Sequence, residues 1–234
     1  MDIALCIDVS GSMGTEATLK SSSGENVGNG FSVLSLTVAA AKTIMATMNE
    51  HDHLSIVTYT DKARTIVSHQ ECTPDNKKAI EIELDSLKPQ YTTNIWDGLH
   101  KSLEILRTTA PRERLQAVFL LTDGIPNVEP PRGHEGMLEK YFQTHDYRCM
   151  VNCYGFGYQL DSELLRNISS ISGGDGFSYI PDASLLGNIF IHGISNTYTT
   201  AITNPTLNVV FEDDTKETIR IDSLKYGQDT HLKV

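Results

Sequence analysis

From residue 2 to about residue 200, short β-branched apolar runs alternate with longer stretches of helical period. The runs "DIALCID" (2–8), "HLSIVTYT" (53–60), "RTIVSH" (64–69), "LQAVFLLTD" (115–123), "RCMVNCYGF" (148–156) and "GFSYI" (176–180) read as strands. Between the first two, Leu34, Val38, Ala41, Met45 and Met48 recur at three- and four-residue steps and predict one apolar helix face. Thr73 followed by Pro74 marks a helix start, with Ile80, Leu84 and Leu87 on its apolar side. Ile95, Leu99, Ser102, Leu103 and Leu106 line the next helix, and further helices are expected at about 133–145, 161–171 and 182–198. Strands alternating with helices predict an α/β fold: a doubly wound, mainly parallel six-stranded sheet with helices on both faces. Only "DKA" (61–63) separates the second and third strands. A parallel crossover needs a dozen residues or more, so this pair must form an antiparallel hairpin and supply one antiparallel edge strand.

Two irregular pieces interrupt the pattern. "TEATLKSSSGENVGNGF" (15–31) is rich in Ser, Gly and Asn and is expected to be a long loop; "GIPNVEPPRG" (124–133) follows the fourth strand. Both follow strand C-termini, so both rise from the edge where open α/β sheets bind ligands. The "SSSGENVGNG" part is the expected seat of partner specificity. Beyond about residue 203 the texture changes to two extended runs, "NPTLNVVFEDD" and "KETIRIDSL", around a polar "DDTK" turn. The expected division is an α/β domain over 1–200 and, over 201–234, a C-terminal β-hairpin that starts a truncated all-β module, since two strands cannot build an independent sheet.

Composition narrows the function. The formal net charge is −11, from 30 acidic and 19 basic residues, without a Lys/Arg block. That excludes a nucleic-acid partner, which needs a clustered cationic face. The longest apolar runs, such as "AVFLL" (117–121), are strand-sized and well short of a membrane span. The first strand begins at Asp2, which leaves no room for a secretory signal in this chain. Cys149 and Cys153 on one strand would stand about 13 Å apart at ~3.3 Å per residue, too far to bond. With Cys6 also inside an apolar run, reduced buried thiols and an intracellular, cytoplasmic location are expected.

The candidate chemistry lies at strand ends. Asp8, Ser10 and Ser12 form D-x-S-x-S after strand one, Asp123 closes strand four in "LLTDG", and Thr93 in "YTTNIWDGL" precedes a helix. A parallel sheet brings these loops to one edge. Two carboxylates and three hydroxyls without His or Cys suit a small hard cation, Mg²⁺ or Mn²⁺, rather than zinc. The plain structural alternatives are that Ser10 and Ser12 cap the next helix, that Thr93 caps the helix of "NIWDGL", and that Asp123 closes a turn.

"DVSGSM", "TTN" before "IWDGL" and "LLTDG" resemble the metal-ion-dependent adhesion site of von Willebrand factor type A domains. The likeness extends through "DHLSIVTYTDKA", "VNCYGFG" and "GGDGFSYIPDASLLGNIF", roughly residues 2–200. It implies direct metal contact by Ser10, Ser12 and, in one state, Thr93, with Asp8 and Asp123 acting directly or through water. It also implies that an Asp or Glu of a protein partner completes the shell. Members often carry glycine where Thr92 stands, so a large open-to-closed switch is less expected than metal binding. The tail resembles regions that follow such domains in some intracellular proteins, including RING-type ubiquitin ligases and proteins with an intein-like module; neither a RING cysteine set nor a splicing site is present.

Two competing functions follow from the same residues. Asp8 beside a metal could serve as nucleophile of a Mg²⁺-dependent phosphoryl-transfer enzyme, although Ser10 stands where dehalogenase-like phosphatases carry a second acid. Alternatively, the metal only stabilises a scaffold. "GFGYQL" (155–160) lacks the third glycine of a dinucleotide loop, and "VSGSMG" is not a nucleophile elbow. Asp61 and Asp97 are expected to be solvated, His51 and His53 exposed, and Trp96 packed against the sheet.

Overall fold

The structure is a computed structural model describing residues 1–20, 26–90, 92–157, 160–181, 185–203, 205–211, 214–221, 223–227 and 229. The first strand, β1 (Asp2–Asp8), is buried along its whole length. It is followed by a short 3-10 turn (Gly11–Gly14), the hairpin strands β2 (Glu16–Lys20) and β3 (Asn26–Ser32), and helix α1 (Val33–Thr47). Then come β4 (His53–Tyr59), β5 (Ala63–Glu71), α2 (Pro74–Asp85), α3 (Ile95–Thr109), β6 (Gln116–Thr122), α4 (Gly133–His145), β7 (Met150–Phe156), α5 (Ser162–Ser172), β8 (Phe177–Ile180) and α6 (Leu186–Tyr198). Four short strands end the described chain: β9 (Thr200–Thr203), β10 (Thr206–Val210), β11 (Lys216–Arg220) and β12 (Ser223–Lys225).

The main sheet has six strands in the order β5-β4-β1-β6-β7-β8. All neighbours run parallel except β4 and β5, which pair antiparallel as the short "DKA" connection requires. From β1 the chain first builds outward to β4 and β5, then returns to lay β6, β7 and β8 on the other side. The order therefore reverses between β1 and β6, and the carboxyl ends of these two strands frame the crevice where such sheets bind ligands.

Alternation along β1 divides the core into two layers. Ile3, Leu5 and Ile7 pack with α1, α2 and α6, including Ile44, Ile80 and Phe190. Ala4 and Cys6 face α3, α4 and α5, including Leu99, Leu138 and Ile168. Gly98 permits the tight seat of α3: a Cβ there would lie 2.4 Å from the Tyr59 ring and 3.0 Å from Cys6 Sγ. The four cysteines are free and buried, and burial pushes the Cys6 thiol up to about 12.

Three expectations are corrected. The segment 15–31 is not an open loop: β2 and β3 pair antiparallel, Ala17 joins the core, and Glu16 Oε1 accepts the Gly30 N–H at 2.9 Å. Its glycines dilute the alternation that would announce strands; residues 21–25, within the stretch expected to hold specificity, lie outside the described residues. Asp97 is not merely solvated, because its Oδ2 accepts the Ala63 N–H at 2.6 Å and braces the β4–β5 turn. His53 is half-buried rather than exposed, its Nδ1 standing 3.2 Å from Asp2 Oδ1. At the C-terminus, β10 and β11 form the expected hairpin, and β9 and β12 add a second antiparallel pair around it.

Candidate metal centre

The polar end of β1 is built by ordinary backbone economy. Asp8, wholly buried, turns Oδ1 back to accept the Ser10 N–H at 2.8 Å, which holds the first turn after the strand. Its Oδ2 accepts the Thr122 hydroxyl at 2.7 Å from the end of β6, across the switch point. With both oxygens engaged, the carboxylate is fixed in orientation. Ser10 Oγ and Ser12 Oγ stand 3.1 Å apart, and Ser12 Oγ donates to Asp123 Oδ1 at 2.8 Å. Asp8, Ser10, Ser12 and Asp123 thus form one hydrogen-bonded cluster spanning the crevice.

Thr93, on the loop before α3, stands on the far side of Gly124 from Ser12. The loop is pinned from the irregular piece after β6: Asn127 Oδ1 accepts the Thr93 N–H at 3.0 Å, and the Asn127 N–H donates to the Thr93 carbonyl at 2.9 Å. Gly124 lies between. The point where its Cβ would sit is 3.7 Å from Ser12 Oγ and 3.9 Å from Thr93 Oγ1, so this glycine lies against both hydroxyls without filling the space beside them.

The capping alternatives do not account for these side chains. Ser10 occupies the N-cap position of the 3-10 turn, but its side chain makes no capping bond. Helix α1 is capped by Ser32, whose side chain accepts the Ser35 N–H. Helix α3 is capped by Asn94, whose Oδ1 accepts the Asp97 N–H at 3.2 Å. The Thr93 hydroxyl is therefore not the cap.

Electrostatics at the cluster is one-sided. Burial raises the pKa of Asp8, its hydrogen bonds opposing the rise, and burial together with the neighbouring Asp8 charge lifts Asp123 to about 6. Among the described residues, neither carboxylate is paired with Lys, Arg or His. Two buried acids without a counter-charge are costly as anions, and a divalent cation would reverse that cost. The donor set is all oxygen, which fits a hard cation. Sequence reasoning missed Thr122 and Asn127, which position Asp8 and Thr93. Thr122 adjoins Asp123 in "LLTDG" and could have been found from its place opposite Asp8; nothing in the local sequence marks Asn127.

Asp61 remains at the exposed turn after β4, its carboxylate accepting the Thr60 hydroxyl at 2.8 Å. Trp96 packs half-buried on the α3–α4–α5 side and tilts against His100.

A family model of the von Willebrand factor type A domain matches residues 2–191 of the chain. The chain belongs to this family. Relatives of this von Willebrand factor type A (VWA) domain include the uncharacterized protein sll0103 of Synechocystis, 27% identical over 147 residues, which cover 62% of this chain and 33% of that protein. The chain therefore spans about a third of that relative's length. Among solved structures, a von Willebrand factor type A protein from Catenulispora acidiphila superposes with a TM-score of 0.75 at 17% identity, covering 96% of this chain and 55% of its own. Proximal thread matrix protein 1 from the mussel byssus, in a structure with a zinc-occupied MIDAS motif, gives 0.58 at 23% identity, with 82% of this chain and 44% of that protein covered. These likenesses establish the VWA fold.

Proposed function

We propose that this VWA domain is a divalent-cation-dependent protein–protein interaction module, in which the bound metal captures an acidic side chain of a protein partner. The observation that carries the reading is the pair of buried carboxylates, Asp8 and Asp123, linked through Ser10 and Ser12 and lacking a cationic partner among the described residues. Ser10, Ser12 and Thr93 would offer hydroxyl oxygens, with Asp8 and Asp123 direct or through water. Mg²⁺ or Mn²⁺ is the expected ion, by the hardness of the oxygen set. Neutral hydroxyl ligands leave such an ion with net positive character, so a partner's carboxylate gains a strong and directional bond.

Phosphoryl transfer through Asp8 is disfavoured by its geometry. The side chain has no solvent access and its Oδ1 and Oδ2 each already accept one hydrogen bond, from Ser10 and Thr122, so it offers no open face for the in-line approach of a bulky phosphoryl group, whereas an ion or its water needs only a remaining lone pair.

The test measures Mn²⁺ binding by electron paramagnetic resonance, followed by capture of an immobilised library of Asp- and Glu-containing peptides. Tight Mn²⁺ binding that Asp8→Ala and Ser10→Ala remove, with acidic peptides retained only when metal is present, supports the reading. Peptide capture unchanged by excess chelator would sink it. The neighbouring pair of segments, the 201–234 extension and its hairpin, is proposed to be a separate β unit; a fragment ending at 200 that folds and binds Mn²⁺ like the full chain would support that division.

A further inference from the structure

At the opposite end of the sheet, about 20 Å from Asp8 at ~3.3 Å per residue, three potential ligands meet. Asp2 Oδ1 is 3.2 Å from His53 Nδ1 and 3.3 Å from His69 Nε2. The ligand atoms of all three residues lie within 4.8 Å of one another. The Asp2 side chain is fully buried, while the imidazoles keep 20% and 17% exposure, so the cluster is closed by the sheet below and open to solvent beyond the rings.

Asp2 and His53 face each other as register partners of parallel β1 and β4. His69 arrives differently. The β4–β5 register shifts between Leu54 and Ile56, and His69 takes φ +43°, the left-handed region that residues with a Cβ rarely adopt. Its N–H donates to Ser55 Oγ at 2.9 Å. A bulge of this kind re-aims a side chain, here bringing the imidazole onto a buried carboxylate.

We propose that Asp2, His53 and His69 form a second metal site, for a zinc-class divalent ion, distinct from the hydroxyl–carboxylate centre. Imidazole nitrogens favour such ions over Mg²⁺. A tetrahedral ion with bonds of about 2.1 Å separates its donors by about 3.4 Å, close to the observed 3.2 and 3.3 Å. Arg114 Nε holds the other carboxylate oxygen, Asp2 Oδ2, at 2.8 Å, which leaves Oδ1 for the ion. Arg114 is itself fixed, its Nη2 donating to the Met1 carbonyl at 3.0 Å and the His51 carbonyl at 2.7 Å. The same Nη2 lies 3.4 Å from His53 Nδ1.

The two rings stack in parallel, 4.2 Å between centroids at 6°. In-plane lone pairs of parallel rings cannot converge on one ion, so one ring turns about its soft second side-chain torsion when the ion binds. Three protein ligands leave a fourth position for water or a partner's donor.

The experiment titrates the full chain with Zn²⁺ in saturating Mg²⁺, reading affinity by calorimetry, bound metal by mass spectrometry after dialysis, and the histidine rings by NMR. The expected result is a single Zn²⁺ retained by the wild type and by Asp123→Ala, with ring shifts at His53 and His69 as the stack opens. His53→Gln and His69→Gln should each weaken it about tenfold or more, with the fold checked by circular dichroism. Either histidine variant that folds is sufficient, since Asp2 is spared to keep Arg114 paired. Absence of Zn²⁺ binding in the wild type, unchanged affinity in the folded histidine variants, or loss only in Asp123→Ala would overturn the proposal.

Discussion

Thr122 donates its hydroxyl to Asp8 Oδ2 at 2.7 Å, joining the ends of β6 and β1 across 114 residues of sequence. Thr122→Val keeps the shape but strands a buried carboxylate oxygen. We expect a loss of about 1–3 kcal/mol in urea-unfolding stability without metal. Mg²⁺ or Mn²⁺ affinity should fall as well, because Asp8 loses its fixed orientation. Unchanged affinity would show that Thr122 does not position the site.

Asn127 should separate site geometry from stability. It is exposed, yet it holds the Thr93 backbone through two hydrogen bonds. Asn127→Ala is expected to cost no more than about 1 kcal/mol of stability while weakening Mn²⁺ binding measurably. A proportional loss of both would place Asn127 in the fold rather than the site.

The buried acids set a pH dependence with a definite sign. Asp123 is raised from 3.8 to about 6, and Asp8 is shifted in the same direction. A carboxyl with a raised folded pKa binds its proton more tightly in the native state. Its stabilising contribution is present below the unfolded value and is lost as the pH rises through about 6. Without metal, thermal melts of the wild type should therefore fall, relative to Asp123→Asn, between about pH 4 and pH 7. Saturating Mg²⁺ should recover the loss near neutrality and do little at the acid end. A wild-type curve parallel to that of Asp123→Asn would refute this.

Gly98 tests the seat of α3. A Cβ 2.4 Å from the Tyr59 ring must push the helix or the ring away, and both are buried. Gly98→Ala is expected to destabilise by about 1–3 kcal/mol, read by denaturant unfolding, despite alanine's higher helix propensity. A stabilised variant would mean that α3 has room to shift.

The six main-sheet strands and the alternating helices were legible because short β-branched runs alternate with stretches of helical period, and "DKA" was too short for anything but a hairpin. Asp8, Ser10, Ser12, Thr93 and Asp123 were legible as a group because strand ends of a parallel sheet share one edge; the hydrogen bonds bring four of them together, and Gly124 lies between Ser12 and Thr93. What was not legible depends on partners distant in sequence. The β2–β3 pair is hidden by its glycines, and β9 finds its partner only in β12, beyond an intervening hairpin. The aim of His69 depends on a bulge, a register slip that local composition does not announce. Asn127 looks like any loop asparagine until Thr93 is placed beside it.

Gly124 has a consequence of a different kind. Its Cβ position clears Ser12 Oγ by 3.7 Å and Thr93 Oγ1 by 3.9 Å, ordinary contact distances, and its backbone is not among the positive-φ glycines. Folding alone would accept alanine there. A methyl group at that point would nevertheless stand in contact with both hydroxyls and take up space that an ion between them would need. The glycine is thus a doorway whose width melting experiments would overlook and only an arriving ligand would register.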